Sequence, residues 1–334
     1  MLNYILISIT AFILSFSATP IARKLGLQIG IISRPSSSRW GIKPVSLLGG
    51  LAIYSGLFLA LLIFGEKFKF NQIVGIFLGA TIVSFLGLWD DMVSLKPLSK
   101  IIGQMLATLI LIYNQIQIEL FCWNFLNIFL TIFWIIGITN AMNLLDNMDG
   151  LAGGIGAIAA FFFLVTATLN GQYLVGSLSA ALLGACLGFL YYNYNPATIF
   201  MGDNGSLFLG FLLAVVGIKL RFPDRPNEIT WAIPIVILGV PIADTFLVMI
   251  SRLRRGLNPF TTPGTDHISH RLASLGFSSK RAVGIIYITG IILGCYSLLF
   301  HCVNINFALS IILEIMFLLM LLTIIALLEK FFTN

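Results

Sequence analysis

Charge is what this chain has least of. Only 10% of its 334 residues are Asp, Glu, Lys or Arg, and 58% are apolar; ordinary soluble domains carry about 25% charged residues. Such a chain has too little polar surface to cover itself in water. That excludes a soluble globular protein and makes lipid its outer solvent. Alternating apolar and polar positions are also missing. The apolar runs are continuous, which argues against a closed barrel of strands and selects helices, the other form in which lipid-exposed backbone is satisfied. Cysteine is scarce. Cys122, Cys186, Cys295 and Cys302 are scattered, mostly inside apolar runs, with no pair at metal-ligand spacing, and read as small buried hydrophobes. No internal repeat, low-complexity stretch or separate soluble domain breaks the pattern.

What is there is a series of apolar runs. At about 20 residues per span, they predict an all-α, polytopic transmembrane bundle of about eleven spans: 4–19, 46–64, 72–89, 99–118, 121–139, 151–169, 173–191, 206–219, 229–250, 282–300 and 306–328. The count is ten if the fourth and fifth, which meet near Glu119, are divided too finely. With the first long loop inside, fourteen Lys and Arg residues fall on the cytoplasmic side and only Lys67, Lys69, Lys219, Arg221 and Arg225 outside. That bias puts the amino terminus outside and the carboxyl terminus in the cytoplasm. It also explains the net charge of +6 without nucleic acid. The first run has no basic residue ahead of it and is followed by Arg23 and Lys24, the pattern of an uncleaved helix. The expectation is one integral membrane domain over 1–334, with cytoplasmic loops near 20–45, 90–98, 140–150, 192–205 and 251–281.

The 13 acidic residues are unevenly placed. Asp90, Asp91, Asp146, Asp149, Asp203, Asp244 and Asp266 all fall at cytoplasmic loops or span ends, where an ionisable group is costly unless paired, metal-bound or in a wet cavity. Adjacent Asp90 and Asp91 close the third run. Two neighbouring carboxylates ionise cheaply only beside a cation, and Mg2+ takes oxygen ligands. Alone, a pair of acids marking a helix end explains them equally well. Asn143, Asp146 and Asp149 are spaced three apart and share a face if helical. They would offer oxygens to a hydroxyl-rich ligand or a metal. A capping loop is the plainer alternative, but five polar side chains within ten residues need partners. Gly202-Asp203-Asn204-Gly205-Ser206 reads as a turn entering a helix, whose free N–H groups suit phosphate and whose Asp203 suits a metal. Its match to a glycosylation acceptor is set aside because it lies inside. Arg252, Arg254 and Arg255 read as ordinary positive-inside charge. Asp266, His267 and His270 form a tighter group able to hydrogen-bond a diphosphate or bind metal. Asp244 reads as a supporting residue. No Gly-x-x-x-x-Gly-Lys-Ser/Thr loop exists, so phosphate binding must rest on metal and basic side chains.

Over nearly its whole length the chain resembles the polyprenyl-phosphate N-acetylhexosamine-1-phosphate transferases. The resemblance is carried by Asp90-Asp91, by Asn143-Leu-Leu-Asp146-Asn147-Met-Asp149-Gly150-Leu, by Phe200-Met-Gly-Asp203-Asn-Gly-Ser206, by the His267/His270 loop and by the stretch from Lys43-Pro44 to Gly49-Gly50. It looks more like the branch using UDP-GlcNAc for teichoic acid, lipopolysaccharide O-antigen and related glycans than like the phospho-MurNAc-pentapeptide transferases. The resemblance implies transfer of a sugar 1-phosphate from a UDP-N-acetylhexosamine to undecaprenyl phosphate, releasing UMP, with Mg2+ or Mn2+, at the cytoplasmic side of the inner membrane. It implies Asp203 as metal ligand, Asp90 as the base acting on the lipid phosphate, and Asp91 assisting with substrate or metal. Asn143, Asp146, Asp149, Asn193 and Phe200 would line the nucleotide-sugar pocket, Phe200 against uracil. His267, His270 and Arg271 would contact diphosphate or sugar, and Lys43 and Lys100 the lipid phosphate. Gly41, Ser46 and Ser269 depart from the family pattern, where His, Pro and His are frequent, and they bear on sugar preference. A homodimer stays open. A secondary transporter and a catalytically dead scaffold are the competing classes. A transporter usually holds its site near the bilayer midplane within inverted repeats, and the intact acids argue against a dead scaffold.

Overall fold

The computed structural model describes residues 1–33, 44–64, 70–222, 230–258 and 264–302. Lys43, Gly41 and the eleventh apolar run lie outside them. The described residues form, in order, α1 (Leu2–Ile29), β1 (Ile32–Ser33), β2 (Val45–Ser46), α2 (Gly49–Ile63), α3 (Phe70–Val93), α4 (Pro97–Tyr113), α5 (Asn124–Leu145), α6 (Leu151–Leu169), α7 (Tyr173–Asn193), α8 (Gly202–Lys219), α9 (Ala232–Ile237), α10 (Gly239–Arg254), α11 (Ile268–Ser274) and α12 (Ser279–Cys302). The two short strands pair antiparallel, Ile32 with Ser46 and Ser33 with Val45. Seven helices, α1, α3, α5, α6, α7, α8 and α12, are long and apolar enough to cross a membrane, and α2 and α4 are shorter apolar helices. The protein is a multi-pass helical membrane protein.

Several boundaries differ from the sequence expectation: α1 runs on to Ile29 and α5 to Leu145, well past residues 19 and 139, and two further differences have a clear cause. The ninth run is helical but interrupted. It breaks at Leu238 into α9 and α10, because Pro241 has no N–H to give the Ile237 carbonyl one turn back. The helix expected from residue 206 starts at Gly202, so Asp203 stands in its first turn rather than in a turn ahead of it.

Packing follows from small residues. Lipid tails are as apolar as Leu, so helices in a bilayer associate through close contact, which small side chains permit. On α7, Gly184 and Gly188 lie one turn apart against α1. A Cβ at these positions would stand 2.0 Å from the Ser8 carbonyl and 2.5 Å from that of Phe12. Ser15 adds a hydrogen bond from its Oγ to the Ala185 carbonyl, 2.8 Å. Most span hydroxyls instead satisfy themselves on their own helix, as Thr108, Thr131 and Thr166 do with the carbonyl four residues back. The larger amide side chains also meet across helices. Gln104 on α4 and Asn140 on α5 exchange two amide hydrogen bonds, 2.7 and 3.4 Å.

At the centre is α8, buried from Asn204 to Val216 and packed against α2, α3 and α5. The outer helices turn Phe125, Phe129 and Phe133 of α5, four residues apart, outward, as lipid contact requires. The chain alternates in direction, so the ends of α3, α5 and α7 meet the starts of α4, α6 and α8. Three of the sequence clusters sit at those meeting points, and the histidine cluster lies after α10, at the start of α11.

Candidate active site

The site is built around the first turn of α8. Gly87 lets α3 come against it: a Cβ there would be 2.3 Å from the Asp203 carbonyl oxygen. One turn further along α3, the Asp91 carboxylate accepts the backbone N–H of Asp203 at 2.9 Å and that of Asn204 at 3.1 Å. These are two of the four N–H groups that a helix start leaves unpaired. Asp91 therefore caps a helix more than a hundred residues away, and its negative charge suits the positive end of the α8 dipole. Asn204 completes the junction by donating from Nδ2 to the carbonyl and hydroxyl of Ser84.

Next to this junction lies a charge centre. Lys100, in the first turn of α4, reaches Asp90 Oδ2 at 2.5 Å and Asp203 Oδ2 at 2.7 Å. Asp90 Oδ1 also accepts the N–H of Leu95. Asn143 of α5 donates to Asp203 Oδ1 at 3.0 Å and to Ser206 Oγ at 2.9 Å. Lys100 is one turn from Gln104 and Asn143 one turn from Asn140, so the amide pair within the bundle fixes the register in which these two side chains meet Asp203.

The α5–α6 turn forms the next wall. The helix ends at Leu145, so Asn143 is helical while Asp146 and Asp149 lie in the turn. The three do not form one helical face. Asp149 Oδ2 accepts from Asn195 Nδ2 and the Ala197 N–H, and Asn193 Oδ1 accepts from the Gly150 N–H. Both residues thus brace the turn against the chain leading into α8. Asp146 is different. Burial pushes its carboxyl up to about 7, and the negative charges of Asp203, Asp91 and Asp149 push the same way. A carboxyl so placed gains most when a cation arrives. Phe200 is half-buried, and its backbone N–H and carbonyl bond Ser46 and Gly49 across the site's edge.

The histidine loop completes the site. Ser269 donates to Asn147 Oδ1 at 2.5 Å, tying α11 to the α5–α6 turn. Tyr287 of α12 donates to the Gly150 carbonyl from the same side. His267 Nδ1 lies 2.7 Å from Asp244 Oδ2, and the His267 and His270 rings meet edge to face at 6.2 Å. Burial pushes the His270 pKa down, as does neighbouring His267, with Asp244 opposing. Asp266 bridges Arg252 (3.1 Å) and Arg255 (2.6 Å), and its carbonyl accepts from Arg271 Nε. Burial raises the Asp266 carboxyl, but the two arginines outweigh it and hold it below the usual range.

Asp90, Asp91, Lys100, Asn143 and Asp203 are thus in one hydrogen-bonded unit, with Asp146 beside it. Asp149 and Asn193 brace the adjoining turn, the loop of His267, His270 and Arg271 is tied to that turn through Ser269, and Lys43 lies outside the described residues. Ser84, Gln104 and Tyr287 were not singled out by sequence. A polar residue such as Gln104 within an apolar run is the signal that would have found it.

A helical membrane protein with acids, an amine and a capped helix start gathered at one end is the class this geometry defines. Residues 73–221, from the start of α3 to just past α8, match glycosyl transferase family 4. The chain is 35% identical over 317 residues to the probable undecaprenyl-phosphate N-acetylglucosaminyl 1-phosphate transferase of Bacillus subtilis (strain 168), covering 91% of this chain and 88% of that protein. It is 30% identical over 324 residues to the decaprenyl-phosphate N-acetylglucosaminephosphotransferase of Mycolicibacterium smegmatis, covering 85% and 78%. It is also 30% identical over 313 residues to the phospho-N-acetylmuramoyl-pentapeptide-transferase of Limosilactobacillus fermentum, covering 86% and 93%. The chain belongs to glycosyl transferase family 4 and is a transferase.

Proposed function

We propose that this protein transfers N-acetylhexosamine 1-phosphate, with GlcNAc as the preferred sugar, from a UDP-sugar to undecaprenyl phosphate. The products are the undecaprenyl-diphosphate sugar and UMP, and the step opens a cell-envelope glycan at the cytoplasmic face of the inner membrane. The relatives support a polyprenyl phosphate as acceptor and a hexosamine 1-phosphate as the group moved.

One observation carries the reading: Lys100 held between Asp90 and Asp203 at the start of α8. Two phosphate anions must meet here, and phosphoryl transfer is chiefly a matter of positioning and charge compensation. Lys100 supplies positive charge on the acceptor's side. Asp90 takes the proton of the lipid phosphate, and the electron pair of that phosphate oxygen then attacks the β-phosphorus of the nucleotide as the bond to UMP breaks. Asp203 and Asn143 hold the donor end in register.

The donor set fits Mg2+. Its ligands are hard carboxylate oxygens, and Asp146 sits among like charges that a cation would relieve. Among the described residues no three ligating side chains converge into a closed cage. Mg2+ commonly binds through one or two carboxylates, with substrate phosphate and water completing the shell. Asp203 is the direct ligand in this reading, with Asp146 near it. Asp91, also expected as a ligand, has both oxygens on backbone N–H groups of α8 and acts mainly by holding Asp203, whose own oxygens are engaged by side chains, Lys100 and Asn143, that can turn aside for an ion. The ion, when bound, supplies charge neutralisation at the transferred phosphate.

The test is UMP release by purified protein in detergent with undecaprenyl phosphate, Mg2+ and a panel of UDP-sugars. UMP appearing only with lipid, metal and UDP-GlcNAc together is the expected result. Release with UDP-MurNAc-pentapeptide alone would move the chain to the activity named for its Limosilactobacillus relative. No release from any donor overturns the reading.

A further inference from the structure

The Asp244–His267 couple has a geometry that specifies a role. Asp244 on α10 is 1% exposed and His267 5%. Asp244 Oδ2 lies 2.7 Å from His267 Nδ1, and its Oδ1 accepts the Ile268 N–H, also at 2.7 Å, at the first residue of α11. An ionised carboxylate only accepts, so Nδ1 carries a hydrogen. The Nε2 atom has no partner among the described residues. The loop is then held from two further sides, by Ser269 on Asn147 and by Asp266 on Arg252 and Arg255. The first of these places it beside the turn that carries Asp146 and Asp149.

We propose that Asp244 is a positioning residue for the transfer reaction. It fixes His267 with Nδ1 protonated, leaving the Nε2 lone pair to accept a hydrogen bond from a hydroxyl of the donor's sugar. The same carboxylate seats the start of α11, so ring orientation and loop position are set together. This inference rests on the transferase reading.

The test uses Asp244→Asn. Asparagine still accepts from Ile268 through Oδ1, so the loop keeps its anchor, but its amide donates to Nδ1 and drives the ring proton to Nε2. Turnover with UDP-GlcNAc should fall in kcat/KM roughly ten- to a hundred-fold, the usual scale for a group that orients a working histidine, with the melting temperature nearly unchanged. His267→Ala should lose as much, and adding Asp244→Asn to it should cost nothing more. If the losses multiply instead, Asp244 acts on the fold and not through His267, and the proposal is overturned. Wild-type turnover in Asp244→Asn overturns it too. A second measurement needs no substrate: nitrogen-15 spectra of histidine-labelled protein, with His267 assigned by its loss in His267→Gln. A neutral Nδ1–H ring in the wild type and a neutral Nε2–H ring in Asp244→Asn support the proposal. A hydrogen on Nε2 in the wild type refutes it, whether or not the protein releases UMP. Absence of UMP from the wild type brings down the transferase reading by itself.

Discussion

Removing the Lys100 ammonium is the sharpest perturbation the site offers. Lys100→Met keeps the stem and deletes only the charge. The ammonium bridges Asp90 and Asp203 at 2.5 and 2.7 Å, so the two carboxylate oxygens are at most about 5 Å apart. Two like charges at that distance repel by about 3 kcal/mol at an effective dielectric near 20. Deleting one member of a largely buried ion pair costs about 3–5 kcal/mol, and because all three groups are partly exposed, the lower end applies. In detergent with EDTA, Lys100→Met should melt several degrees below wild type. Added Mg2+ should raise the melting temperature of the variant more than that of the wild type, since the ion restores missing charge between the same acids. Turnover should fall roughly a hundred-fold, the scale of losing one donor that stabilises developing negative charge. The reasoning is refuted by an unchanged melting temperature in EDTA, or by equal stabilisation of both proteins by Mg2+.

Two further perturbations probe the surroundings. Gly184→Leu forces a side chain into a position where even Cβ would be 2.0 Å from the Ser8 carbonyl. Overpacking of about 1–3 kcal/mol should lower thermal stability and the yield of monodisperse protein, and a variant as stable as wild type would mean that α1 does not sit on α7 this closely. Asp146, with its carboxyl raised to about 7, predicts a pH dependence. A raised acid contributes most below its unfolded pKa near 4 and loses that contribution as pH climbs through the folded value. Between pH 5 and 8 in EDTA the wild type should lose on the order of 3 kcal/mol that Asp146→Asn does not. Parallel melting curves across that range would contradict the assignment.

Much of this was legible in the sequence, for a physical reason. Acids and amides at the ends of apolar runs are costly, so Asp90, Asp91, Asp149 and Asp203 announce that partners exist. Sequence does not say which partners. Lys100 meets Asp203 across 103 positions and Asp91 meets the Asp203 N–H across 112, and nothing local marks such pairs. Hence Asp90 and Asp91 look alike as letters, yet one joins the Lys100 centre and the other caps α8. Similarly, Asn143, Asp146 and Asp149 have helical spacing, but the helix ends between the first and second. The break at Leu238 was written in Pro241. It was hidden because Pro is tolerated in membrane helices whose freed carbonyl finds another partner.

The burial of α8 bears on how the protein is made. It is the least apolar of the seven long helices, and within the bundle it touches protein on nearly every side. A helix of that kind has little affinity for bare lipid and must be received by neighbours already in the membrane. Its receivers, α2, α3 and α5, are all synthesised earlier. The order of translation therefore prepares a sheath before its occupant arrives. Because the occupant brings Asp203, a nascent chain holds the halves of its charge centre apart until that insertion, and it acquires its chemistry in the same event that completes its core.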